Sequence, residues 1–93
     1  MFSIDEVLFF QAQEKYTRVV TADGEGHIRT PLKELIAALD SEAFWQVHRS
    51  VIVRVAAIRT VEKSDDGKLH LNVRGAAETL PVSSAFQYRF RGM

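Results

Sequence analysis

Phe44–Ile58, FWQVHRSVIVRVAAI, sets three polar side chains between an aromatic pair and an aliphatic run. The aromatic residues and Val51, Ile52 and Val53 are material for a packed sheet. His48, Arg49 and Ser50 are then held between two anchors, on a stiff platform. A mobile loop would be richer in Gly, Asn or Ser. A cation flanked by two hydrogen-bonding groups in such a place suits recognition of an anion or a base edge.

Working upstream, Ala43–Val47 leads into this stretch, and Thr30-Pro31 precedes it with a change of pattern. Thr30 is a good N-cap, and Pro31 fits the first helical position, where its missing N–H costs nothing. Leu32, Leu35, Ile36 and Leu39 follow at i, i+3, i+4 and i+7, which predicts a short amphipathic helix ending near Asp40. Earlier still, Val7–Phe10 is an apolar run of strand length without alternation, so both faces are expected to be buried. Gln11–Lys15 reads as a turn, and Tyr16–Thr21 as a strand. Ala22–Gly26 reads as a hairpin turn around Asp23-Gly24, with His27–Thr30 returning.

Downstream, Val51–Val55 and Ile58–Lys63 read as strands, the second closed by the turn Ser64–Gly67. Lys68–Arg74 alternates, with Leu69, Leu71 and Val73 on one face, as a half-exposed strand does. Gly75 opens another turn and Glu78–Val82 pairs back. Ser83 is placed to cap a final short helix carrying Phe86 and Phe90 on one side. The pattern predicts a mostly antiparallel β domain with one clear helix.

Composition bounds the function. At 93 residues the chain makes one domain. It has no cysteine, hence no disulfide framework or thiolate metal site. No apolar run reaches membrane-spanning length and no signal peptide opens the chain, so a cytoplasmic location away from membranes is expected. The formal charge of +0 does not advertise nucleic-acid binding. Its distribution matters more. Acidic residues gather near the start and in a turn, while Arg49, Arg54 and Arg59 stand close together in the sequence.

Catalysis finds little support. His48 and Ser50 are a base and a nucleophile two residues apart, but no G-x-S-x-G elbow surrounds Ser50 and no orienting carboxylate is near. No two of His27, His48 and His70 lie at metal-ligand spacing, and the glycines form no phosphate-cradling loop. No metal, cofactor or enzymatic activity is expected. Recognition of DNA is better served. Arg49 can place a bidentate fork on guanine or phosphate, with His48 and Ser50 reaching neighbouring acceptors. Each also has a plainer role. His48 reads as a half-buried histidine bonding a backbone carbonyl, Arg49 as a solvated charge, and Ser50 as a cap of its own turn. Lys15 and Arg18, flanking Tyr16 and Thr17, suit either a nucleic-acid backbone or a charge-protected strand edge. The rival from another class is a protein-interaction module that binds a partner segment along an exposed β edge.

Several stretches in order, IDEVLFFQAQEKYTRVVT, LKELIAAL, FWQVHRSVIVRVAAIRTV, a Gly-turned hairpin and LPVSSAF, closely resemble the LytTR DNA-binding domain of bacterial transcription regulators. The phrase F-x-x-V-H-R-S-x-I-V-x-x-x-x-I is the most specific. The resemblance implies an elongated antiparallel β domain of short strands with one or two short helices. It implies loops inserted into successive major grooves of double-stranded DNA. It also implies the output domain of a response regulator behind a phosphorylated receiver, bound to promoter direct repeats. By the same resemblance Arg49 is the central base-reading residue, and Thr17 and Arg18 carry the early loop contact beside Lys15. The third contact region falls on Ser83 and Ser84. Ser50 supports these contacts, and His48 holds its loop. Two departures stand out. Ser84-Ala85 replaces the basic residue that often follows the serine of the third region. The family's usual first strand is missing ahead of Ile4, which suggests a domain excised from a longer regulator and an open sheet edge for homodimer pairing.

Overall fold

The computed structural model describes residues 3–90. Their strands are β1 (Val7–Ala12), β2 (Thr17–Thr21), β3 (Gly24–Ile28), β4 (Phe44–His48), β5 (Val51–Arg54), β6 (Ile58–Lys63), β7 (Leu69–Val73) and β8 (Thr79–Val82). Helix α1 (Leu32–Ala38) lies between β3 and β4, and 3-10 turns cover Ile4–Glu6, Val55–Ala57 and Ser84–Phe90. Every pairing is antiparallel, in a five-stranded sheet of order β3-β2-β1-β5-β4 and a three-stranded sheet of order β6-β7-β8. The principal extents are 38 × 25 × 24 Å, the elongated shape that the family resemblance implied for a mostly β domain.

Burial explains the unalternating runs. The five-stranded sheet is covered on both faces, so successive residues enter two different cores. Phe9, Val20, Val51 and Val53 pack with Leu71, Val73, Leu80 and Val82 of the three-stranded sheet. Phe10, Val19 and Ile52 pack with Leu32 and Phe44, and the rest of the α1 stripe (Leu35, Ile36, Leu39) closes this second core. A helix of seven residues would not persist alone; its apolar stripe holds it to the sheet.

Several local expectations change. β1 runs on to Ala12, so the first turn is Gln13–Tyr16, closed by Gln13 N–H donating to the Tyr16 carbonyl at 2.8 Å. β2 accordingly starts at Thr17. The next hairpin turns one residue early. Thr21 pairs with Gly24, leaving Ala22-Asp23 as the loop, and Gly24 already belongs to β3. Thr21 supplies what Asp-Gly was expected to: its Oγ1 accepts from the N–H groups of Asp23 (3.3 Å) and Gly24 (3.2 Å) and donates to the Gly24 carbonyl (3.0 Å). Among the described glycines, positive φ occurs at Gly67 and Gly75, in the two turns of the three-stranded sheet.

The cap position of α1 is held by Pro31, with no side-chain cap bond. Thr30 is used otherwise, its carbonyl accepting from Thr17 Oγ1 at 2.6 Å. The last helix is 3-10 and begins at Ser84; Ser83 contributes its carbonyl, which accepts from Phe86 N–H at 2.9 Å. Expectations that fall on Met1-Phe2 and Gly92-Met93 lie outside the described residues.

Candidate nucleic-acid interface

β5 is the central strand of the stretch FWQVHRSVIVRVAAI, and its three leading residues are wholly buried. Arg49-Ser50 is therefore the two-residue turn of a rigid hairpin, with His48 and Val51 as its closing pair. The polar trio forms a hairpin tip. A bulge at Val47, between the paired Gln46 and His48, adds local twist and aims that tip.

The tip is internally braced. His48 Nδ1 accepts from the Ser50 N–H at 3.2 Å and lies 2.9 Å from Ser50 Oγ. An Nδ1 that accepts a backbone N–H carries no hydrogen, which leaves the hydrogen of the neutral ring on Nε2. The Ser50 carbonyl accepts from Ala12 N–H at 2.8 Å, tying the tip to the end of β1. The Val47 carbonyl accepts from Ser83 N–H at 2.9 Å, tying the other side to the exit of β8. Three segments remote in sequence, Gln13–Tyr16, His48–Ser50 and Ser83-Ser84, thus converge at one end of the molecule.

Strand direction sorts the charges. At this end lie the exposed cations Lys15, Arg29 and Arg49, with Glu14 in the first turn and Lys33 and Glu34 offsetting each other on α1. At the opposite end of the five-stranded sheet lie Asp5, Glu6, Asp23, Asp40 and Glu42. Along the five-stranded sheet, then, the zero net charge conceals an uneven distribution, with Arg54 standing as a cation at the acidic end. Arg49 makes no ion pair among the described residues, so its five donors face solvent.

The remaining candidates are placed unequally. Lys15 is exposed in the first turn, Ser84 is exposed, and Ser83 is half-buried. Thr17 is only 3% exposed and its hydroxyl is spent on Thr30, so it presents no free polar group. Arg18 lies below the tip and is engaged four ways. It meets Gln11 (3.1 Å), Glu25 and both oxygens of Glu78, with its guanidinium carbon 5.7 Å from the centre of the Phe9 ring. Its hydrogen bonds to Glu78, then to Glu25, push its pKa further up. The three arginines near one another in sequence do not cluster. Arg54 sits at the far end of β5, donating from Nε to the Val7 carbonyl at 2.7 Å and packing on Phe44, while Arg59 belongs to β6.

Sequence reasoning passed over Arg29, which the fold sets beside Tyr16. The guanidinium carbon of Arg29 lies 6.0 Å from the centre of the Tyr16 ring. The aromatic-with-basic pairing Lys15-Tyr16 was the available signal; its third member follows β3 and is brought alongside only by the β2–β3 pairing. Among the described residues no group of His, Asp and Glu side chains could hold a metal ion, and no helix is long and apolar enough to cross a membrane.

The chain belongs to the LytTr DNA-binding domain family, which it matches over residues 1–93. That membership makes it a DNA-binding domain of the kind used in transcription regulation. It is 36% identical to an uncharacterized response regulatory protein of Vibrio cholerae, over 98% of this chain and 36% of that protein. It is 37% identical to the CO-responsive transcriptional regulator RcoM of Rhodospirillum rubrum, over 94% of this chain and 37% of that one. The chain thus spans little more than a third of these curated relatives. A solved LytTr DNA-binding domain of a putative methyl-accepting/DNA response regulator from Bacillus cereus superposes with a TM-score of 0.86. It shares 27% identity, covering 97% of this chain and 82% of that one.

Proposed function

We propose that this domain binds double-stranded DNA sequence-specifically, through the end of the sheet where the three segments meet, as the output domain of a bacterial transcription regulator. The convergence carries the reading. Two backbone hydrogen bonds, Ala12 N–H to the Ser50 carbonyl and Ser83 N–H to the Val47 carbonyl, hold the segments together around Arg49, which is unpaired among the described residues, on a braced turn. A bidentate arginine on a rigid mount reads guanine with little ordering cost. Lys15, Ser83 and Ser84 flank it, and His48 and Ser50 fix its mount. The similarity to a response regulatory protein supports a place behind a receiver domain, and elongated tip-first docking suits tandem direct repeats in promoters. The reading is one of binding: His48 Nδ1 and Ser50 brace a turn, and among the described residues neither hydrogen-bonds a carboxylate.

The test is selection from random duplex DNA, followed by anisotropy titration of the enriched sequence at several salt concentrations. A repeated motif, bound far tighter than random duplex and with a steep salt slope, is expected. Arg49→Ala should cost about 1–3 kcal/mol and relax preference at one base position. A competing reading, β-edge capture of a partner segment, draws on β6, which is an edge strand with five exposed residues out of six. Binding indifferent to salt, with no enriched DNA, would favour it.

A further inference from the structure

Lys15, Tyr16 and Arg29 line an open cleft of about 530 Å³ on the flank of the tip. Ile28 pairs with Thr17 as the last rung of β2–β3, so Arg29 leaves the sheet beside Tyr16. The Thr17 hydroxyl, bonded to the Thr30 carbonyl, pins the outgoing chain there. Tyr16 is 43% exposed, with Arg29 over its ring and the His27 ring edge-on at 6.2 Å between centroids. Neither Lys15 nor Arg29 forms an ion pair among the described residues. Two free cations beside a phenol, in a cleft open to solvent, make a site for an oxyanion.

Geometry indicates which oxyanion. From β3 to β5 is three strand spacings, roughly 14 Å at about 4.8 Å each. The major groove is only about 12 Å wide. With Arg49 on a base edge, Arg29 falls outside the groove, where DNA offers phosphates. We infer that Lys15 and Arg29, with the Tyr16 hydroxyl, form a clamp for the DNA phosphate backbone beside the groove entered by Arg49. The clamp rests on the DNA-binding reading and extends its footprint by one flank. It fixes register and adds affinity without reading sequence.

The experiment compares the intact chain with Lys15→Gln, Arg29→Gln and the double variant on the selected duplex over a salt series. Each lost phosphate contact should lower the slope of log K against log salt by about 0.9, with base preference unchanged. Arg29→Lys should recover the slope, which a merely misfolded variant would not. A neutral methylphosphonate at the contacted phosphate should weaken the wild-type chain and leave the double variant as it was. A wild-type slope in the double variant, with Arg49→Ala still impaired, would overturn the clamp alone. A wild-type chain that binds no duplex would overturn the DNA-binding reading and the clamp together.

Discussion

Arg18 Nη2 donates to Glu78 Oε1 at 2.8 Å while Nη1 meets Oε2 at 3.2 Å, a two-pronged bond between residues 60 apart in sequence. It joins β2 of one sheet to the segment that leads into β8 of the other. The Arg18 side chain is 18% exposed and that of Glu78 42%, so water screens much of the attraction. Glu78→Gln should therefore lower stability by no more than about 1 kcal/mol. Arg18→Ala should cost more, because its stem also covers Phe9. Denaturant midpoints at low and high salt check both: the Glu78→Gln effect should shrink with salt, while the packing part of Arg18→Ala should persist.

Acid should loosen the neighbouring Arg18–Glu25 pair. The hydrogen bond from Arg18 holds the Glu25 carboxyl below its ordinary pKa, and Ser64, then the Lys68 N–H, do the same for Asp66. A carboxyl depressed by folding stabilises fully above its unfolded pKa and loses that contribution as pH falls through the folded value. Thermal midpoints should hold above about pH 5 and decline as pH drops below about 4. Glu25→Gln should flatten part of that decline. A curve of unchanged shape would show that Glu25 contributes nothing there.

Arg49→Lys separates charge from shape. Lysine keeps the cation but not the planar fork, so it should hold backbone-type affinity and lose discrimination at one base pair. The salt slope should stay close to wild type while the preference at that position flattens. A variant that keeps full preference would remove the bidentate contact from Arg49.

His48 and Ser50 are a bracing pair, and their substitutions should differ. Ser50→Ala removes one contact but keeps its backbone N–H on Nδ1, so it should cost little. His48→Ala removes both and should cost about 0.5–1.5 kcal/mol of stability, with a larger relative loss of DNA affinity as the tip relaxes. The two together should cost no more than His48→Ala alone. A double-mutant cycle on denaturation midpoints measures this.

Thr17→Val should act on the fold. It leaves the Thr30 carbonyl without its 2.6 Å partner, at a cost of about 1–3 kcal/mol, and frees the chain that carries Arg29. The unfolding midpoint should drop, while the base preference of whatever still binds stays as it was.

The parts of this architecture legible in the sequence are those with a local cause. The β-branched run Val51–Val53, the unalternating Phe9-Phe10 and the stripe Leu32–Leu39 each announce their burial, and Ser64–Gly67 announces its turn. Where a side chain replaces a backbone signal, the pattern misleads: Thr21 closes its hairpin without the glycine conformation expected of Asp23-Gly24. Long-range partners leave no trace. Arg18 beside Tyr16 looks like a surface cation, because Glu78 is far away in the chain. The gathering of Lys15, Arg29 and Arg49 follows from the order β3-β2-β1-β5-β4, which no short window encodes.

The sorting of charge along the five-stranded sheet has a kinetic meaning. A neutral domain approaching a polyanion feels little overall pull, but a polarised one feels a torque. On the proposed reading, Lys15, Arg29 and Arg49 should swing toward the duplex, and Asp5, Glu6, Asp23, Asp40 and Glu42 away. Collisions with the acidic end leading should be turned aside before contact, and those with the loops leading should arrive already aligned. The domain's heading is then set, on this reading, before any base is touched.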